Sequence, residues 1–176
     1  MEARTVPAPT AILKPHPDSG DTPVDAVEVH VERDGVLLWL RFVVSGEVDR
    51  IAWPGPAAQG RADDLWRHTC FEAFVKTDEG YVEYNLSPSG QWASYRFDAP
   101  RAGMRAADEV ATIEGLDGAR DMVALEARIE LPNGASRLGL SAVIETVDGA
   151  MSYWALAHPS AKPDFHHPDS FVLDLP

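Results

Sequence analysis

The sequence predicts an all-β fold, an antiparallel sandwich, on three observations. Apolar and polar residues alternate at period two in one segment after another. Clusters of Gly, Pro, Asn and Asp separate those segments at short intervals. No stretch carries the 3.6-residue apolar period of a convincing long helix. About nine or ten strands follow from this pattern. A closed barrel is the competing architecture.

Residues 1–23, rich in proline and polar residues, read as an extended lead-in rather than a packed element; residues 24–176 read as one sandwich domain. Val27, Val29 and Val31 alternate with Glu28, His30 and Glu32, the pattern of a half-buried strand. Asp34-Gly35 turns the chain into VLLWLRFVVSG, whose apolar run suits a central strand with Trp39 in the core. A short strand near Glu47 to Ala52 stops at Pro54-Gly55-Pro56. Residues 57–67 read as a polar loop with a short helical turn around Ala62 to Leu65.

Three strands fill Leu65 to Phe97, joined by Asp78-Glu79-Gly80 and Ser87-Pro88-Ser89-Gly90. Residues 98–121 read as irregular. Met122 to Leu131 turns Val123, Leu125, Ala127, Ile129 and Leu131 inward, and Pro132-Asn133-Gly134 ends it. Leu138 to Val147 and Ser152 to Ala157 are two further strands around Asp148-Gly149, and Phe171 to Leu175 is a short terminal one.

The chain of 176 residues is long enough for one domain with a sizeable core. Its net charge of −13 argues against nucleic acid and against an anionic membrane surface, both of which need clustered Lys and Arg. Cys70 is the only cysteine, so neither an intrachain disulfide nor a thiolate-rich zinc site can form. The N-terminus has no apolar h-region of signal-peptide length, which makes the cytoplasm the expected compartment.

The segment from Leu65 to Phe97 is the one that points to function. Glu72 shares a face with His68, Cys70 and Phe74, while Phe71, Ala73 and Val75 face the other way. Glu83 and Asn85 oppose Val82, Tyr84 and Leu86; Trp92, Ser94 and Arg96 oppose Ala93, Tyr95 and Phe97. The set Glu72, Glu83, Asn85 and Arg96 can hydrogen-bond vicinal hydroxyls in bidentate fashion. It can equally hold a structural Glu72–Arg96 ion pair. Trp53, Trp66, Trp92 and Trp154 lie close to turns or beside polar residues, where an indole can stack on the apolar face of a pyranose. Glu72 with Glu83 also fits the paired acid and base of a glycosidase. His158, Lys162, Asp164, His166, His167 and Asp169 crowd the tail, where imidazoles and carboxylates could hold a transition metal or simply order a surface loop.

With LWRHTCFEAFV, YNLSPSGQWASYRFD, PRAGM and YWALAHPSAKPDFHHPDSF on the page, the chain from about residue 24 onward resembles the stand-alone bacterial DOMON-like proteins related to the family 9 carbohydrate-binding modules. That resemblance implies a sandwich, immunoglobulin-like or jelly-roll-like, whose open face holds a ligand: usually sugar, in some branches haem. In the carbohydrate-binding modules two tryptophans sandwich a terminal sugar, with a glutamate six residues after the first and a strand arginine. Trp66 and Glu72 have that spacing, Arg96 matches the arginine, and Trp154 the second tryptophan. Glu83, Asn85 and Trp92 would flank them. Calcium occurs in some related modules, but no closely spaced acidic loop here demands it. Haem would need a Met with a His, drawn from Met104, Met122, Met151 and His158. The expected function is non-catalytic binding of a small carbohydrate or related polyol. A haem-binding electron-transfer domain and an enzyme using Glu72 with Glu83 or His158 are the alternatives.

Overall fold

Alternating side chains make each strand two-faced, and the structure stacks thirteen such strands among the described residues into two layers. It is a computed structural model that describes residues 8–176. The strands are β1 (Ala11–Pro15), β2 (Val24–Asp34), β3 (Leu37–Gly46), β4 (Gly60–Arg61), β5 (Cys70–Thr77), β6 (Gly80–Leu86) and β7 (Gln91–Phe97). They continue with β8 (Arg105–Ala106), β9 (Ala111–Ala119), β10 (Met122–Glu130), β11 (Arg137–Glu145), β12 (Met151–Ala155) and β13 (Leu173–Asp174). Four single 3₁₀ turns are the only helical pieces among the described residues. No helix there is long and apolar enough to cross a membrane.

One layer runs β1-β2-β3-β10-β9 and the other β4-β7-β6-β5-β11-β12-β1, with β8 beside β7 and β13 beside β11. All pairings are antiparallel except the short β4–β7 contact. Strand β1 belongs to both layers: Ala11 to Leu13 pair with β2, and Lys14 and Pro15 with Ala155 and Trp154 of β12. Between the layers lies the main core, in which Val29, Leu40 and Leu125 from one side meet Phe71, Leu86 and Leu140 from the other. Phe42 and Phe71, from opposite layers, have ring centroids 4.9 Å apart. The fold is an all-β sandwich.

The second layer has another populated face. There Phe74, Tyr81, Ala93, Tyr95 and Phe97 form a smaller cluster, capped by Phe171 from the C-terminal segment. That segment is tied down by backbone acceptors: Arg137 donates to the Phe171 and Val172 carbonyls at 2.8 and 2.7 Å. At the β5–β6 hairpin Gly80 has a φ of +140°, and a side chain there would collide with the Phe97 carbonyl.

Several expectations are corrected. From residue 8 onward the lead-in is packed: it carries β1, and Leu13 is buried in the core; residues 1–7 of that reading lie outside the described residues. Trp39 faces outward, because Leu38, Leu40 and Phe42 take the inner positions of β3 and leave Trp39 and Arg41 on the solvent side. The segment from Glu47 to Ala52 contains a 3₁₀ turn (Val48–Arg50), not a strand. The helical turn of the following loop lies at Leu65–Arg67, just beyond Ala62 to Leu65. Residues 98–121 hold β8 and the nine-residue β9, an edge strand whose Gly115 and Gly118 and a bulge opposite Glu126/Ala127 erase the alternation.

Candidate functional site

The registers decide which side chains of the second layer meet. Glu72 lies opposite Asn85, Phe74 opposite Glu83, Glu83 opposite Tyr95, and Ser141 opposite Glu72. Glu72, Asn85, Glu83 and Ser141 therefore project from β5, β6 and β11 to the same side, away from the main core. Glu72 is 3% exposed, Glu83 6% and Asn85 1%. Such groups must find partners. Ser141 Oγ donates to Glu72 Oε2 at 3.0 Å. The Asn85 amide, oriented by its surroundings, points its nitrogen to Glu72 Oε1 at 3.2 Å and to Glu83 Oε1 at 3.1 Å. One amide thus bridges two buried carboxyl groups.

A second chain of contacts runs from the C-terminal segment. Tyr81 Oη accepts from the Arg101 backbone N–H at 3.1 Å and lies 2.6 Å from His166 Nδ1. With the phenol donating to Nδ1, the His166 proton sits on Nε2, which faces Glu83 Oε2 at 3.8 Å. Arg101 adopts a left-handed φ of 58° and its guanidinium donates to Asp164 Oδ1 at 3.2 Å. Asp164 Oδ1 also accepts the His166 backbone N–H at 3.1 Å.

Electrostatics follow from burial. Desolvation, then the neighbouring Glu83 charge, raises the Glu72 pKa well above the ordinary carboxylate value. Desolvation pushes Glu83 up to about 7, partly offset by Arg101. Burial lowers His166 to about 4, so its imidazole is neutral near neutrality. The same desolvation, followed by Glu72, raises Cys70, which stays a thiol. Two carboxyls this close hold a proton at pH values where exposed ones have lost it.

Glu72, Glu83, Arg101 and His166 line a cleft of about 770 Å³, within the range of small-molecule sites, with Asn85 and Ser141 behind the two carboxyls. Trp66 stands at its mouth, 47% exposed, on the 3₁₀ turn that Asp64 enters with a left-handed φ of 61°. Tyr153, Phe165 and Met151 form the wall from the β12 side, Phe97 and Met104 the opposite one. Arg67, Arg101 and Lys162 bring cationic groups to the rim.

Of the residues singled out in the sequence, Trp66, Glu72, Asn85 and Glu83 are brought together. Arg96 is not: it pairs with Val82 across β6–β7, on the inner side, and its guanidinium binds Glu109 instead of Glu72. Trp154 is 3% exposed in the main core, its Nε1 donating to Ser152 Oγ at 3.0 Å. No ring can stack on it there. Trp92 also turns inward, against the core, with the Arg61 guanidinium 4.5 Å above its ring. Trp53 is half-buried and donates to the Val48 carbonyl. His68 precedes β5 and contacts Glu145 at 2.7 Å, outside the cleft lining.

The tail divides likewise. His166 joins the Tyr81 contact, whereas His167 Nδ1 accepts the Asp169 N–H. His158 bonds the Lys14 carbonyl and packs edge-on against His16, so it does not accompany Met104 and Met151 at the cleft. Among the described residues no group of three or more His, Cys, Asp or Glu side chains is placed to hold a metal ion. Tyr81, Ser141, Arg101 and Tyr153 were not singled out by the sequence. Tyr153 had a signal: alternation puts it opposite Trp154.

A second depression of about 520 Å³ lies on the outer face of β2, β3 and β10 beside Trp39. Arg41 pairs there with Glu126 at 3.2 Å, and the Arg128 guanidinium covers the Trp39 ring. Comparison with models of known families, with curated proteins and with solved structures gives no match.

Proposed function

We propose that the cleft binds a small carbohydrate or a related polyol. The observation that carries this reading is an exposed indole lining a cleft together with two carboxyl groups, Glu72 and Glu83, that the Asn85 amide bridges from behind. Pyranose rings present both an apolar C–H face and an array of hydroxyls, and this pairing of surfaces suits them. Trp66 would stack on the ring. Glu83 would accept a hydrogen bond from a hydroxyl, the protonated Glu72 would donate one, and Arg101 and Lys162 would donate from the rim. Tyr153 and Phe165, lining the cleft beside β12, would take the part that the family resemblance implies for Trp154.

The test is a titration of mono- and oligosaccharides followed by tryptophan fluorescence and calorimetry. Wild type is expected to bind at least one of them, and Trp66→Ala to bind it roughly tenfold more weakly, the scale of one lost aromatic platform. Failure of a broad sugar panel to bind wild type at millimolar concentration would sink the reading.

A further inference from the structure

We propose that the cleft also hydrolyses a glycosidic bond of the sugar it holds, with Glu72 as proton donor and Glu83 as nucleophile. This rests on the carbohydrate reading and goes beyond the non-catalytic role expected from the sequence. Three features of the floor lead there.

The first is separation. Both Oε1 atoms are held on the one Asn85 nitrogen, at 3.2 and 3.1 Å, which caps their distance at roughly 6 Å. Retaining glycosidases hold their carboxyl groups about 5–5.5 Å apart, whereas inverting enzymes need about 6.5–9.5 Å to admit a water. The second is the difference between the two environments. Both Glu72 oxygens already have partners, Asn85 and Ser141, and Glu72 is the more buried acid. Glu83 keeps Oε2 without a hydrogen bond among the described residues, 3.8 Å from His166 Nε2. Desolvation raises both carboxyls; the Glu83 charge raises Glu72 as well, while at Glu83 the opposing Arg101 charge comes second only to desolvation. The third is support: Tyr81 and the Arg101 backbone fix His166, so the imidazole edge facing Glu83 is a positioned N–H donor.

In the first step the Glu72 proton passes to the glycosidic oxygen as the bond from that oxygen to the anomeric carbon breaks. The bonding pair leaves with the oxygen, which departs as an alcohol. A Glu83 oxygen supplies an electron pair to the anomeric carbon and forms a glycosyl ester. In the second step Glu72, now a carboxylate, takes a proton from water while the water oxygen attacks the anomeric carbon. The ester bond breaks, its electrons return to Glu83, and both side chains regain their starting states. The sum is addition of one water. His166 is a positioning residue here.

The experiment uses the full chain with a panel of aryl and alkyl glycosides between pH 6 and 9, where Glu83 passes into its charged form, and calorimetric binding of the parent sugars in parallel. Turnover is expected in wild type and is expected to vanish in Glu83→Gln. In Glu72→Gln it should fall roughly 10²–10⁴-fold on alkyl glycosides and much less on activated aryl ones, since only the poor leaving group needs the proton. A merely structural glutamate would not distinguish the two leaving groups. A 2-fluoro glycoside should leave one glycosyl unit on wild type, located on Glu83 by peptide mass. Sugar binding by wild type without turnover of any glycoside would overturn hydrolysis and leave the binding reading standing. Loss of both would overturn both.

Discussion

Glu83 ties the chemistry of the cleft to the stability of the fold. Its pKa rises from 4.5 to about 7 on folding, so the folded chain holds a proton that the unfolded chain has released. Between those values stability falls as pH rises. His166 works the other way: lowered from 6.5 to about 4, it contributes stability that grows as pH rises between these values. The two offset each other below about pH 6.5, and only the carboxyl effect continues above it. Glu83→Gln is therefore expected to stabilise the protein at pH 8, by at most about 3 kcal/mol, and to gain less at pH 5. Denaturant melts of both proteins across that range read the difference. Parallel curves would show that the buried charge costs nothing.

At the scale of elements, most of the longer strands are legible, β9 excepted, and their mutual registers are not. Alternation alone assigns two faces to β5, β6 and β7, and the structure keeps each of those assignments. Which face of β7 joins Glu72, however, depends on pairing, and a slip of one residue exchanges the two. With Tyr95 opposite Glu83, the face carrying Ala93, Tyr95 and Phe97 lies beside the carboxylates, and Arg96 goes to the core side. Strand β1 escaped for another reason. Its five residues, AILKP, are too few to show a period and follow a proline-rich stretch, yet they join the two layers. Leu13→Ala should cost about 2–5 kcal/mol of stability, as for other buried leucines. A silent Leu13→Ala in a denaturant melt would return the segment to an unpacked lead-in.

For the whole molecule, the sandwich has one core between its layers and a second, smaller one under the C-terminal segment. The acidic balance of −13 is mostly solvated surface, but Glu72 and Glu83 are withdrawn from it into the cleft. Half of the candidate site could be read from residues 66–85, because neighbouring strands bring those positions together. The other half comes from far along the chain: Tyr153 sits on β12, whereas Arg101, Phe165 and His166 arrive through loops whose paths no periodicity encodes. Trp154 and Tyr153 illustrate the cost, since adjacent residues on a strand serve opposite faces.

The central claim is that the floor and mouth of this one cleft receive a sugar. Amide and indole N–H resonances test it most directly, followed in a ¹⁵N-labelled sample during titration with the sugar panel. The Trp66 indole and the Asn85 side-chain amide are expected to shift together and to saturate, while the Trp154 indole, locked to Ser152 in the core, stays in place. Spectra in which neither Trp66 nor Asn85 moves with any sugar, or in which only distant residues respond, would contradict it.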